Sequence, residues 1–96
     1  MLHIIAAKIL KSKTLQLKFK EYPGEYIADM SEYIFENDNF NLIQELNNDE
    51  KFKDFCIDHG AILWKNGFDI APEYLFFLAN KSDKKYRALF KEWGYI

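Results

Sequence analysis

Residues 14–20, Thr-Leu-Gln-Leu-Lys-Phe-Lys, alternate apolar and polar side chains without a break. Successive side chains of a strand point to opposite faces, so Leu15, Leu17 and Phe19 share one face and Gln16, Lys18 and Lys20 the other. A chain that contains this segment must build a sheet with one packed face and one wet face. The neighbouring segments fit that requirement. His3 to Leu10 is rich in β-branched and apolar residues and reads as a strand, joined through the polar turn Lys11-Ser12-Lys13. Tyr22-Pro23-Gly24 is a second turn, because proline presets φ and glycine accepts positive φ. Glu25 to Asp29 completes a three-stranded antiparallel meander.

The middle of the chain changes character. Ser31 can cap a short helix through Tyr33, Ile34 and Phe35, which Asn37-Asp38-Asn39 ends. Phe40, Leu42, Ile43 and Leu46 mark one or two further helical turns, stopped by Asn47-Asn48. Residues 52–58 and 61–64 read as a second β-hairpin closed at Gly60. Lys65-Asn66-Gly67 is a tight turn, expected to hold positive φ at both Asn66 and Gly67.

Two helices are expected at the C-terminus. Pro72 suits a first helical position and Glu73 complements the helix dipole. Tyr74 to Ala79 follows, apolar on every side. Lys81-Ser82-Asp83 breaks this helix, and Ser82 or Asp83 can cap the next. There Tyr86, Leu89, Phe90 and Trp93 fall at i, i+3, i+4 and i+7, one apolar stripe that ends at Gly94. The reading is an α+β fold. Residues 1–80 form a single domain, and residues 81–96 a C-terminal helix packed on it or on a partner.

Ninety-six residues, 49% apolar and 29% charged, make a small globular chain rather than a disordered one. No apolar run approaches the ~18 residues of a membrane span. The start, MLHIIAAKIL, carries neither a basic leader region nor a small-residue cleavage site. A single cysteine, Cys56, excludes an internal disulfide and suits a reducing cytoplasm. The net charge of −2 hides an uneven distribution. Lys8, Lys11, Lys13, Lys18 and Lys20 crowd the first twenty residues without an acid, while residues 21–58 are strongly acidic. The lysines read as solvated strand edges that block unwanted pairing. Phosphate contact is the alternative, and the pI near 5.6 argues against a dedicated nucleic-acid binder.

Trp64, Asn66, Gly67, Asp69, Pro72, Glu73 and Leu75 spell W-x-N-G-x-D-x-x-P-E-x-L after a lysine-bearing meander. Across residues 2–80 the chain resembles the bacterial family called domain of unknown function 2442. The resemblance implies a small α+β domain with two antiparallel sheet segments and no known enzyme activity. It also implies partnership with small toxin-like proteins or a regulatory context. Some members carry an attached helix-turn-helix domain, for which the sixteen residues 81–96 beyond the shared core are too few. The signature residues also have structural readings. Asp69 can accept from backbone amides at the junction between turn and helix, and Trp64 would pack against the following helix. Ala71 caps less well than a serine would.

Reactive residue types are sparse. On a strand, Cys56 and Asp58 share a face while His59 points away, so a nucleophile–base pair fails. His3 and His59 are far apart, and no Cys-x-x-Cys or His-Glu-x-x-His occurs, so no metal site is expected. Glu32 and Glu36 read as a solvated helix face. No glycine-rich phosphate loop is present. No catalytic residue and no cofactor is expected.

Seventeen of the 96 residues are aromatic, and Tyr74, Phe76, Phe77, Tyr86, Phe90 and Trp93 crowd the last third. Large rings at a surface are the usual material of interaction hot spots. The expectation is a non-catalytic bacterial, cytoplasmic module that contacts another protein, or a second copy of itself, through residues 74–93. Phe77, Tyr86, Phe90 and Trp93 are its expected contact residues, and an antitoxin-like or regulatory role its concrete form. The alternative is a nucleic-acid-associated regulator using Lys8, Lys11, Lys13, Lys18 and Lys20, helped by Lys84, Lys85 and Arg87.

Overall fold

The computed structural model describes residues 1–96 and shows an α+β protein built on two three-stranded antiparallel sheets. The first sheet contains β1 (Ile4–Lys11), β2 (Thr14–Phe19) and β3 (Tyr26–Asp29), in that order. Leu15, Leu17 and Phe19 are buried and Lys18 is exposed, as the alternation requires. Leu15 pairs with Ile9 and Ala28, and Leu17 with Ala7 and Tyr26, which places the packed rows of all three strands on one face. Shifts in register between Ile4 and Ala6 and between Ile9 and Lys11 interrupt β1. They turn Ile5 and Leu10 out to solvent. The hairpin turn is held at Lys13, whose φ of 59° is unusual for a side-chain-bearing residue.

Short helices follow: α1 (Ser31–Glu36), α2 (Asn41–Gln44), which tightens into a 3₁₀ turn at Glu45–Asn47, and α3 (Asp49–Lys53). Ser31 opens α1 rather than capping it. The residue that serves the helix start is Asp29, whose Oδ1 accepts from Ser31 N at 2.9 Å. Hydrogen bonding from Ser31 holds the Asp29 carboxyl below its ordinary range. Phe52 belongs to α3, not to a strand. Asn48, expected only to stop a helix, also starts this one, its Oδ1 accepting from Glu50 N and Lys51 N.

The second sheet is a three-stranded meander, one strand more than the expected hairpin. It comprises β4 (Phe55–Asp58), β5 (Ala61–Trp64) and β6 (Asp69–Ile70). His59 (φ 51°) and Gly60 (φ 80°) close its first turn, the left-handed pair that a two-residue hairpin uses. At the second turn Gly67 has positive φ and Asn66 does not. Asn66 instead works through its side chain. Its Oδ1 accepts from Phe68 N at 2.9 Å, and its Nδ2 donates to Leu42 O and Glu45 Oε1 at 3.0 and 3.1 Å. This amide both shapes the turn and fastens it to α2. Asp69 is exposed and pairs with Leu63, so the amide-accepting side chain at this turn is that of Asn66.

Helix α4 (Pro72–Asn80) starts at Pro72 with no side-chain cap from Ala71. A 3₁₀ turn at Lys84–Tyr86 leads into α5 (Arg87–Trp93). Asp83 Oδ1 accepts from Lys85 N, and Gly94 ends α5 in the left-handed conformation with φ 85°. One core of 17 buried hydrophobic residues runs from Leu2 to Phe90 and draws on both sheets and on α1 to α5. Trp64 lies in it beside Phe52, Phe55 and Phe68, with its Nε1 donating to Phe52 O at 2.8 Å. Its aromatic neighbours therefore come from α3, β4 and the turn after β5.

The two sheets meet at the start of the chain. Ile4 N donates to Gly60 O at 2.8 Å and Leu2 N to Glu73 Oε2 at 2.6 Å. His3 is held by Glu21, through Nδ1 to Oε2 at 2.6 Å and through the backbone N to Oε1 at 2.7 Å. Hydrogen bonding from the His3 side chain keeps the Glu21 carboxyl below its ordinary range.

Candidate interaction surfaces

The C-terminal rings pack on one another and on the rings of residues 19–26. Phe76 is fully buried, with ring centroids of Phe19, Tyr22, Tyr26 and Tyr86 between 4.6 and 5.2 Å away. Phe90 is 1% exposed and sits in the core against Phe77, with centroids 5.1 Å apart, so its ring offers no surface. Phe77, Tyr86 and Trp93 are half-buried against that core. Burial pushes the Tyr26 phenol up to about 12, aided by hydrogen bonding and repulsion from Tyr86. Burial also raises the phenols of Tyr33, Tyr74 and Tyr95.

The large apolar side chains that do face solvent lie elsewhere. Phe35 is 82% exposed, and Phe40 and Leu42 are exposed beside it in sequence. These three form a tip where α1 turns into α2. The tip is braced from inside: Gln44 Nε2 donates to Ile34 O at 2.8 Å and to Asn37 O at 3.0 Å, tying α2 to α1. Glu32, Glu36 and Asp38 are exposed around it, and Lys81 Nζ stands 3.2 Å from Glu32 Oε2. A sequence signal existed for this tip. Tyr33, Ile34 and Phe35 are consecutive on a six-residue helix, and steps of about 100° splay them over some 200°. Such a helix buries one of the three, here Ile34, and leaves Phe35 outside.

A second exposed set covers the outer face and the ends of the first sheet. Ile27, Gln16 and Lys8 form one cross-strand row, and Lys18 opposes Ala6 in the next. Ile5 and Leu10 are exposed at the two irregularities of β1. Lys8 and Lys18 therefore come together on this face. Lys11 ends β1, Lys13 forms the hairpin turn, and Lys20 lies just past β2. Acids are interleaved: Glu25 Oε1 lies 4.0 Å from Lys18 Nζ, and Lys11 is among the charges acting on Asp29. Lys85 sits over the ring of Tyr86 at 5.4 Å, and Arg87 opens α5.

Cys56 is exposed on β4 opposite Leu63, and His59 Nε2 lies 3.8 Å from Asp58 Oδ1 at the adjoining turn. A depression of about 270 Å³ is lined by Glu45, Lys51, Asp54, Trp64, Lys65 and Asn66. Its charges are paired, Lys51 with Glu45 at 3.9 Å and Lys65 with Asp54 at 3.8 Å. No helix is long and apolar enough to cross a membrane.

Comparison with protein-family models, with curated proteins and with solved structures finds no match to this chain.

Proposed function

We propose that this chain is a small non-catalytic protein-interaction module of the bacterial cytoplasm, and that its main contact surface is the α1–α2 tip. The observation that carries this reading is Phe35, 82% exposed, with Phe40 and Leu42 exposed beside it. An uncovered aromatic of this size is stabilised by a partner that removes it from water. The half-buried rims of Phe77, Tyr86 and Trp93 supply a lesser apolar surface. The resemblance to the domain of unknown function 2442 adds the finer proposal of an antitoxin-like or regulatory partner.

The competing reading is a nucleic-acid regulator acting through the lysine hairpin. Lys8 and Lys18 favour it, since both stand on one open face. Glu25 just before β3 and Asp29 at its end weigh against it, because they lower the potential a phosphate would meet. The test is a photo-cross-linking side chain at position 35, with the same group at exposed position 50 as control. A discrete protein adduct is expected at 35 alone in native cells. Absence of an adduct at 35 would overturn the reading.

A further inference from the structure

Two of the apolar patches on this molecule are complementary in charge. The tip carries Phe35, Phe40 and Leu42 among Glu32, Glu36 and Asp38. The outer face of the first sheet carries Ile27 near Lys8 and Lys18, with Ile5 and Leu10 exposed at the two irregularities of β1. Together they hold six of the nine large hydrophobic side chains that face solvent; the others are Ile57 and the terminal Met1 and Ile96. We propose that the tip's partner is a second copy of this chain, whose lysine-bearing sheet face receives Phe35 and Phe40. This rests on the reading above and names the occupant of the same surface.

The chemistry favours a second copy because this chain itself supplies both halves of the contact. Rings from one copy would lie on Ile27, Ala6 and the lysine stems of the other, and the carboxylates of the tip would meet ammonium groups. Glu25 and Asp29 reduce the attraction of the face for carboxylates, so the rings carry most of the contact and the charges set its orientation. Lys18–Glu25 and Glu32–Lys81 are solvent-exposed pairs, and such pairs hold little energy and exchange partners readily. Tip on face is a heterologous contact, so each copy keeps a free tip and a free face unless a ring closes. The average mass therefore rises with concentration.

Sedimentation equilibrium of the purified chain reads this directly. Association is expected at low salt, weakening about tenfold between roughly 0.05 and 0.5 M salt as screening grows. Phe35→Ser with Phe40→Ser abolishes it while the circular dichroism spectrum stays unchanged. Two charge-reversed variants give the decisive comparison. Lys8→Glu with Lys18→Glu makes the face acidic, and Glu32→Lys with Glu36→Lys makes the tip basic. Each is expected to be monomeric alone, and an equal mixture to associate again, since each variant's tip then meets the opposite charge. A monomer at every concentration and salt overturns the inference, as does association that the reversed charges leave unchanged. If the chain is monomeric while the cross-linker at position 35 traps a different protein, self-association falls and the interaction reading stands.

Discussion

The indole Nε1 of Trp64 donates to the carbonyl oxygen of Phe52 at 2.8 Å inside the core. It fastens the second sheet to α3, an element with a single buried side chain of its own. Trp64→Phe keeps most of the apolar volume and removes the donor. The carbonyl is then left without this partner in a dry site, which costs about 1–3 kcal/mol. Chemical denaturation should show that loss with an unchanged slope. Full stability in the variant would mean that the hydrogen bond contributes nothing.

Gly60 should tolerate alanine less well than Gly67 does. Both have positive φ, 80° and 95°, so each substitution carries about 1–2 kcal/mol of backbone strain. A Cβ at Gly67 meets nothing within 4 Å, whereas at Gly60 it meets His3 atoms at 3.0 to 3.1 Å. The excess destabilisation of Gly60→Ala over Gly67→Ala, measured by thermal melting, reports the close approach of β1 to this turn. Equal losses would show that His3 gives way freely.

Buried and exposed phenylalanines should separate cleanly. Phe90→Ala removes a ring that is 1% exposed and should cost about 3–5 kcal/mol. Phe35→Ser removes one that is 82% exposed and should shift stability by less than about 0.5 kcal/mol. Urea midpoints of the two variants decide this, and comparable losses would mean that Phe35 is covered in solution.

Alkali should destabilise the fold in a defined window. The Tyr26 phenol ionises at about 12 in the folded chain, against an ordinary value of 10. Between those values the folded state holds a proton that the unfolded state has released. Stability is therefore full below pH 10 and falls as pH rises toward 12. Tyr26→Phe should flatten that fall, seen as denaturant midpoints at pH 9, 10 and 11. An identical slope in the variant would assign the effect to the other raised phenols, Tyr33, Tyr74 and Tyr95.

The strands and helix ends with strong local chemistry were legible in the sequence. The alternation at residues 14–20 places Leu15, Leu17 and Phe19 inside, Asp83 caps the last helical segment, and Gly94 ends it. Helix α3 was not legible, because five residues with one buried side chain carry no periodicity and Asn48 ends one turn while starting the next. Strand β6 has two residues, too few for any pattern. The surface was harder still. Counting rings leaves a surplus near the C-terminus, but Phe76 shows how edge-to-face stacking lets rings shelter one another. Phe35, the most exposed ring, instead sits on a helix too short to bury more than one side.

The hydrogen bonds from Ile4 to Gly60 and from Leu2 to Glu73 join residues separated by more than half the chain. During synthesis the first strand emerges from the ribosome long before the residues that anchor it. The hairpin of β1 and β2 forms early through local pairing, with His3 held by Glu21, but the bonds of Ile4 and Leu2 wait for residues 60 and 73. The earliest segment made thus completes its contacts late, and a growing chain stopped short of α4 lacks the carboxylate that holds Leu2 and the core side chains Leu75 and Phe76.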